Sequence, residues 1–141
     1  GSKAAVEKAC EVLKANGAKR ALSLPVSAPF HSSLMKPAAE RLRERLVSID
    51  LKTPQIPVLN NVDVAVQTDP DAIRDALYRQ AFGAVRWVEL VTELKARGMT
   101  HVLECGPGKV LSGMVKRIDA DLVTAPFYDP ATLAAAKALL A

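Results

Sequence analysis

Apolar residues recur along the chain at two spacings, and the changes of spacing mark where one element gives way to the next. Val6, Ala9, Cys10 and Leu13 share one helical face, with Lys3, Glu7, Lys8 and Glu11 opposite. That pattern predicts an amphipathic helix over residues 5–14, stopped by Asn16-Gly17. Residues 21–26 alternate and are apolar-rich, which predicts a strand. Pro29 blocks that run, and Ser32 and Ser33 after His31 offer hydroxyls for a helix cap. Pro37 then opens the regular part of a helix with Ala38, Leu42 and Leu46 inward and Arg41, Arg43, Glu44 and Arg45 outward. Ile56-Pro57-Val58-Leu59 reads as a short buried strand that Asn60-Asn61 breaks. Asp69-Pro70 pairs a cap with a first-turn proline and starts a helix over 72–80, which Phe82-Gly83 interrupts. A helix over 88–97 ending at Gly98, a strand over 101–104, a Gly106-Pro107-Gly108 turn, a helix over 110–118, a strand over 122–125 and a helix over 132–140 complete the pattern. Helices alternating with short apolar strands predict an α/β layer fold. Residues 1–27 give only a helix and one strand, which make no sheet alone, so the chain reads as a piece of a larger body.

Composition narrows the function classes. With 50% hydrophobic and 24% charged residues among 141, the chain is globular and can bury a modest core. No apolar run approaches the roughly 20 residues of a membrane span, and the first residues read as an amphipathic helix rather than a secretory signal. The net charge of +4 is spread along the chain and aromatics are only 4%, which argues against nucleic acid as a partner. Cys10 and Cys105 are far apart and lack CxxC spacing, which favours neither a disulfide framework nor a zinc site and suits a reducing cytosol.

The chemistry centres on His31, which the pattern places where a strand gives way to a helix. Ligands in open α/β sheets sit beyond the carboxyl ends of strands, and an imidazole there can take and return a proton near neutrality. On these residues alone, a loop histidine bonded to backbone is an equal reading. Gly106-Pro107-Gly108-Lys109 invites a phosphate-loop reading but lacks the spacing of a Walker loop or a dinucleotide fingerprint, so a turn that packs strand against helix is preferred. Asn60 and Asn61 either line a pocket or form a turn that bonds local backbone. Trp87 fits a helix core, and His101 opens a strand without an evident partner. Lys19-Arg20 and Lys116-Arg117 are short basic pairs of the kind that usually face solvent. No G-x-S-x-G elbow occurs; Leu111-Ser112-Gly113 lies inside a helix and lacks the preceding glycine.

Four stretches stand in order: Leu24-Pro25-Val26-Ser27-Ala28-Pro29-Phe30-His31-Ser32-Ser33-Leu34-Met35, Asn60-Asn61-Val62-Asp63-Val64, Ile73-Arg74-Asp75-Ala76-Leu77-Tyr78-Arg79-Gln80 and Glu104-Cys105-Gly106-Pro107-Gly108-Lys109-Val110-Leu111. Together, over nearly the whole chain, they resemble the C-terminal portion of the malonyl-CoA:acyl carrier protein transacylases of type II fatty acid synthesis. The resemblance implies a hydrolase-like α/β acyltransferase body carrying an inserted ferredoxin-like subdomain. Residues 1–26 would end that subdomain with its last helix and strand, and 27–141 would be the C-terminal part of the body. It implies His31 as catalytic base, oriented by the backbone carbonyl of Gln80, with Phe30, Asn60 and Asn61 at the substrate pocket. Phe30 is compatible with a malonyl group. The nucleophilic serine and the carboxylate-binding arginine would lie upstream of Gly1, so the isolated chain is expected to be inactive. The resemblance also implies malonyl-CoA and acyl carrier protein as partners, Lys19, Arg20, Lys116 and Arg117 as the docking charges, a cytoplasmic setting, and no metal or redox cofactor, the coenzyme A thioester being substrate. Another acyltransferase, such as a polyketide synthase loading module, and a non-enzymatic α/β interaction domain with a structural His31 are the alternatives.

Overall fold

The computed structural model describes residues 1–140. It falls into two compact units, Gly1–Val85 and the residues from Arg86 onward. This division follows contacts within the chain and does not bear on the expected boundary at 26/27, which concerns subdomains of a larger body.

In the first unit, α1 (Lys3–Ala15) begins at Ser2, whose hydroxyl accepts the Ala5 N–H, and ends at Asn16. Residues 21–26 form no strand. A strand needs a neighbour for its N–H and C=O groups, and among the described residues none pairs with this segment. Leu22, Leu24 and Val26, the alternate positions of the predicted strand, are 60%, 76% and 67% exposed. A single 3-10 turn, Ser33–Met35, leads into α2 (Lys36–Val47) with its first-turn proline. The expected buried strand over 56–59 is a correction as well. Ile56 and Val58 are exposed, and the pairing is confined to β1 (Leu59–Asn60) against β2 (Ala65–Val66), an antiparallel pair that includes Asn60 rather than stopping before it.

Helix α3 (Pro70–Gln80) starts as Asp69-Pro70 dictates, the Asp69 carboxylate accepting the Ala72 N–H. Loss of such a cap typically costs about 0.5–2 kcal/mol. Ala39 and Leu46 of α2 and Ala76 of α3 are buried. Arg74 ties the end of α2 to α3, its Nε donating to the Leu46 carbonyl at 3.1 Å and its Nη2 to the Ile49 carbonyl at 2.9 Å.

The second unit holds α4 (Trp87–Ala96), β3 (His101–Cys105), α5 (Val110–Ile118), β4 (Val123–Phe127) and α6 (Pro130–Leu139). Strands β3 and β4 are parallel, His101 facing Val123 through to Cys105 facing Phe127. A parallel pair needs a crossover, and α5 supplies it. Val91, Val115 and Leu122 form the core, with Trp87, Val102 and Ile118 packed around it. Truncating the fully buried Leu122 to alanine is expected to cost about 2–5 kcal/mol. Helix α6 begins two residues earlier than its apolar pattern, because Asp129 and Thr132 form a reciprocal capping box ahead of Pro130. No helix among the described residues is long and apolar enough to cross a membrane.

Candidate active site

His31 sits in a tight loop whose geometry is enforced by its neighbours. The Ser32 hydroxyl donates back to the Pro29 carbonyl at 2.7 Å, so it closes this loop instead of capping the following turn. Between them His31 adopts φ +58°, the left-handed region. A residue with a Cβ held there costs of order 1–3 kcal/mol, a strain typical of functional loops. The ring is anchored on one side only. Its Nδ1 lies 3.1 Å from the Gly83 carbonyl oxygen. A carbonyl can only accept, so Nδ1 carries the proton in the neutral ring and Nε2 is the bare acceptor. His31 is exposed, and among the described residues Nε2 has no partner.

The carbonyl belongs to Gly83, not to Gln80 as the resemblance implies, and the reason lies in how α3 ends. Past Gln80 the chain makes a turn in which the N–H groups of Phe82 and Gly83 both reach the Arg79 carbonyl, at 3.3 and 2.8 Å. That turn carries the chain three residues further before a free carbonyl faces His31. Gly83 is required by close approach. A Cβ there would stand 2.9 Å from both the Arg79 carbonyl oxygen and Val62 Cγ2. The histidine support therefore includes the loop between β1 and β2.

That loop answers the question about the two asparagines. The Asn60 side chain bonds local backbone: its Nδ2 donates to the Ala65 carbonyl and its Oδ1 accepts the Asp63 N–H, both at 2.8 Å. Asn60 thus builds the turn. The Oδ1 of Asn61 is buried without a hydrogen-bond partner. Val64 takes φ +57°, an outlier for a β-branched residue. Asp63 holds the loop to α3 through a two-pronged pair with Arg79, at 2.5 and 2.8 Å, and Arg79 Nε also donates to Asp75 at 2.7 Å. These carboxylates, Asp63 foremost, hold the guanidinium firmly protonated. The Asp63–Arg79 pair did not stand out in the sequence; Gly83 showed there only as part of the Phe82-Gly83 break just past a helix end.

Phe30, next to His31, is 57% exposed, and both residues border a groove with Val6, Leu22, Leu24 and Leu34. Lys19 and Arg20 are exposed in this unit, Lys116 and Arg117 in the other, and none of the four has an ion pair among the described residues. Cys10 and Cys105 are free thiols. His101 bonds the Thr100 hydroxyl at 2.9 Å. Trp87 packs on the core as expected, although its Nε1 is buried and unpartnered.

The Gly106-Pro107-Gly108 turn resolves in favour of structure. Gly106 and Gly108 take φ +133° and +126°, which side chains rarely adopt. The helix N-terminus beyond them is already occupied by a carboxylate of the chain itself. Glu104 Oε2 accepts the Ser112 N–H at 2.8 Å and the Ser112 hydroxyl at 2.9 Å. These bonds, with those from Leu111 and Val110, hold the Glu104 carboxyl below the usual range. A phosphate at this place would have to displace it.

No family model matches the chain. It is 51% identical over 136 residues to the malonyl CoA-acyl carrier protein transacylase of Escherichia coli, covering 96% of this chain. It is 47% identical over 133 residues to that of Bacillus subtilis, covering 94% of this chain. The fold superposes on the acyl-carrier-protein S-malonyltransferase of Burkholderia pseudomallei with a TM-score of 0.90 at 63% identity, covering 96% of this chain and 44% of that one. Over nearly its whole length the chain is therefore similar to one part of the malonyl-CoA:acyl carrier protein transacylases. It spans less than half the length of these curated relatives, 44% of the first and 42% of the second. A malonyl-transacylase solved together with its type II polyketide synthase acyl-carrier protein also matches, with a TM-score of 0.92 and 49% identity over 96% of this chain and 44% of that one. The expected α/β acyltransferase class thus holds for the transacylase segment described here.

Proposed function

We propose that the full-length transacylase carrying this chain moves a malonyl group from coenzyme A to the thiol of an acyl carrier protein, with His31 as its general base. The observation that carries the reading is the one-sided anchoring of His31. Nδ1 is fixed on the Gly83 carbonyl, and Nε2 is bare and exposed. No carboxylate is needed, because a carbonyl fixes the same tautomer that the acid of a Ser-His-Asp triad fixes. Nε2 takes the proton of the serine hydroxyl as its oxygen attacks the thioester carbonyl. The imidazolium returns that proton to the departing coenzyme A thiolate. In the second half, Nε2 takes the proton of the carrier thiol, the thiolate attacks the acyl-serine, and serine leaves with the proton. This cycle calls for no cofactor beyond the thioester substrate.

The chain has no G-x-S-x-G elbow, so alone it should take no label from malonyl-CoA, and a labelled Ser112 would contradict the scheme. The family and the matched complex of a malonyl-transacylase with an acyl-carrier protein support the choice of partner. Lys19, Arg20, Lys116 and Arg117 are the docking charges we assign to it, Phe30, Asn60 and Asn61 the pocket residues. Free thiols at Cys10 and Cys105 suit a reducing, cytoplasmic setting. Rapid-quench labelling of the full-length protein tests the reading. His31→Ala should slow acyl-serine formation by about 10²–10⁴-fold; acylation near the wild-type rate would overturn it.

A further inference from the structure

The mechanism above uses one carbonyl of a larger assembly. Gly83 is seated from two sides: its N–H bonds the Arg79 carbonyl, and its Cα lies so close to Val62 that a Cβ would reach 2.9 Å from Val62 Cγ2. Val62 belongs to the loop between β1 and β2, and that loop meets α3 through Asp63 and Arg79, in a planar two-bond geometry. The same loop keeps Val64 at φ +57°. Backbone strain of this kind persists only where surrounding bonds over-determine it, and here they are the Asn60 amide bonds and the Asp63–Arg79 pair.

We infer that Asp63 and Arg79 are positioning residues for His31: their pair clamps the strained loop against the end of α3, fixes the Gly83 carbonyl, and so sets the ring orientation and tautomer. The inference rests on the reading of His31 as base and extends it to residues that touch neither substrate nor the reacting atoms. Arg79 cannot be exchanged for lysine, which carries the charge but not the fork. A loosened clamp leaves the imidazole in place but lets the ring turn and the proton move to Nε2. Misplacement of about 1 Å at a reacting group can cost about 10²-fold.

The test uses the full-length protein with ¹⁵N-labelled histidine. In the wild type the ring shifts of His31 should report one tautomer, protonated at Nδ1. Asp63→Asn and Arg79→Lys should each show a mixture of tautomers and acylate about 10–10²-fold more slowly, with KM for malonyl-CoA unchanged. Arg74→Ala serves as the stability control, since it severs a different tie of α3, to the Leu46 and Ile49 carbonyls. It should lower the melting temperature and leave the His31 tautomer alone. If either clamp variant fails to fold, the other decides. Unchanged tautomer and rate in the folded clamp variants, with His31→Ala still inactive, overturn the inference and leave the base assignment standing. Rate losses that merely track lost stability, Arg74→Ala included, also overturn it. Normal acylation by His31→Ala would instead bring down the reading on which it rests.

Discussion

Two loops of this chain bring a polar side chain to the end of a helix, and they differ in what they leave unused. At the start of α5, Glu104 gives its carboxylate to the N–H and hydroxyl of Ser112, and the turn is chemically closed. Beyond the end of α3, the Gly83 carbonyl gives His31 one bond and leaves its other ring nitrogen bare. Both depend on glycine, for opposite reasons. Gly106 and Gly108 supply backbone conformations, whereas Gly83 supplies room. The glycine-rich loop has the glycines of a phosphate loop without its spacing, and the histidine loop has the features of a ligand site in structure. What marks a site is an unsatisfied group held under strain, not a glycine pattern.

The comparison predicts a double dissociation, and its largest arm is His31. His31→Ala should cost about 10²–10⁴-fold in acylation and change the melting temperature of the full-length protein little, since the ring is exposed and alanine keeps the same left-handed backbone. Glu104→Ala should do the reverse: a lower melting temperature with acylation per folded molecule unchanged. A loss of activity in both would mean the glycine-rich turn is not merely structural.

Gly83→Ala ranks next. The added Cβ would meet a backbone oxygen that cannot move aside, so the turn after α3 must shift. Overpacking of this kind costs about 1–3 kcal/mol, and displacement of the His31 anchor should slow acylation by about 10–10²-fold. Val62→Ala in the same protein removes one of the two clashes and should restore part of both. A Gly83→Ala protein with wild-type kinetics would show that the carbonyl is not needed to hold the ring.

How much of this was legible follows from what each element depends on. Several helix ends carry their own signals: Asp69-Pro70, Asn16-Gly17 and Gly98 act over one turn, so sequence shows them, whereas the Ser2 cap of α1 emerges only in the structure. Strands do not. Residues 21–26 have the alternation of a strand, but extended backbone needs a partner, and the described residues supply none. Asn60 looked like a strand breaker because its turn-forming amide was visible and its pairing with Ala65 was not. His31 stood out by chemistry and motif order. Its support did not, because Asp63 and Arg79 are 16 residues apart and meet only once the hairpin and α3 have formed. The resemblance pointed three residues short of the carbonyl that the turn delivers.

A smaller effect concerns acid. Glu104 is held below the usual carboxylate range by the N–H and hydroxyl bonds of Ser112 first, and those of Leu111 and Val110. A carboxyl depressed in the folded state adds stability above its unfolded value of about 4.3, and that stability is lost as pH falls through the folded value. The melting temperature should therefore drop as the pH is taken from neutral to below 4. Glu104→Gln should be less stable at neutral pH and flatter in acid. Parallel curves for the two proteins would mean that the carboxylate is not tied to α5 in solution.

The smallest effects should come from the basic pairs, which are exposed. Rim charges act chiefly on encounter rate and are screened by salt. Reversing Lys19 and Arg20 to glutamate should lower the rate of malonyl transfer to the carrier protein severalfold at low salt, and the deficit should fade as salt is raised. Acylation from malonyl-CoA should be spared. Lys116 and Arg117 make a less clean test, because they lie in the last turn of α5, where positive charge also favours the helix end. Their reversal should lower stability as well as transfer, and the stability loss separates the two roles. If reversal of Lys19 and Arg20 slows both half-reactions equally and without salt dependence, that pair acts on the fold or on coenzyme A, and the docking assignment moves to Lys116 and Arg117 alone.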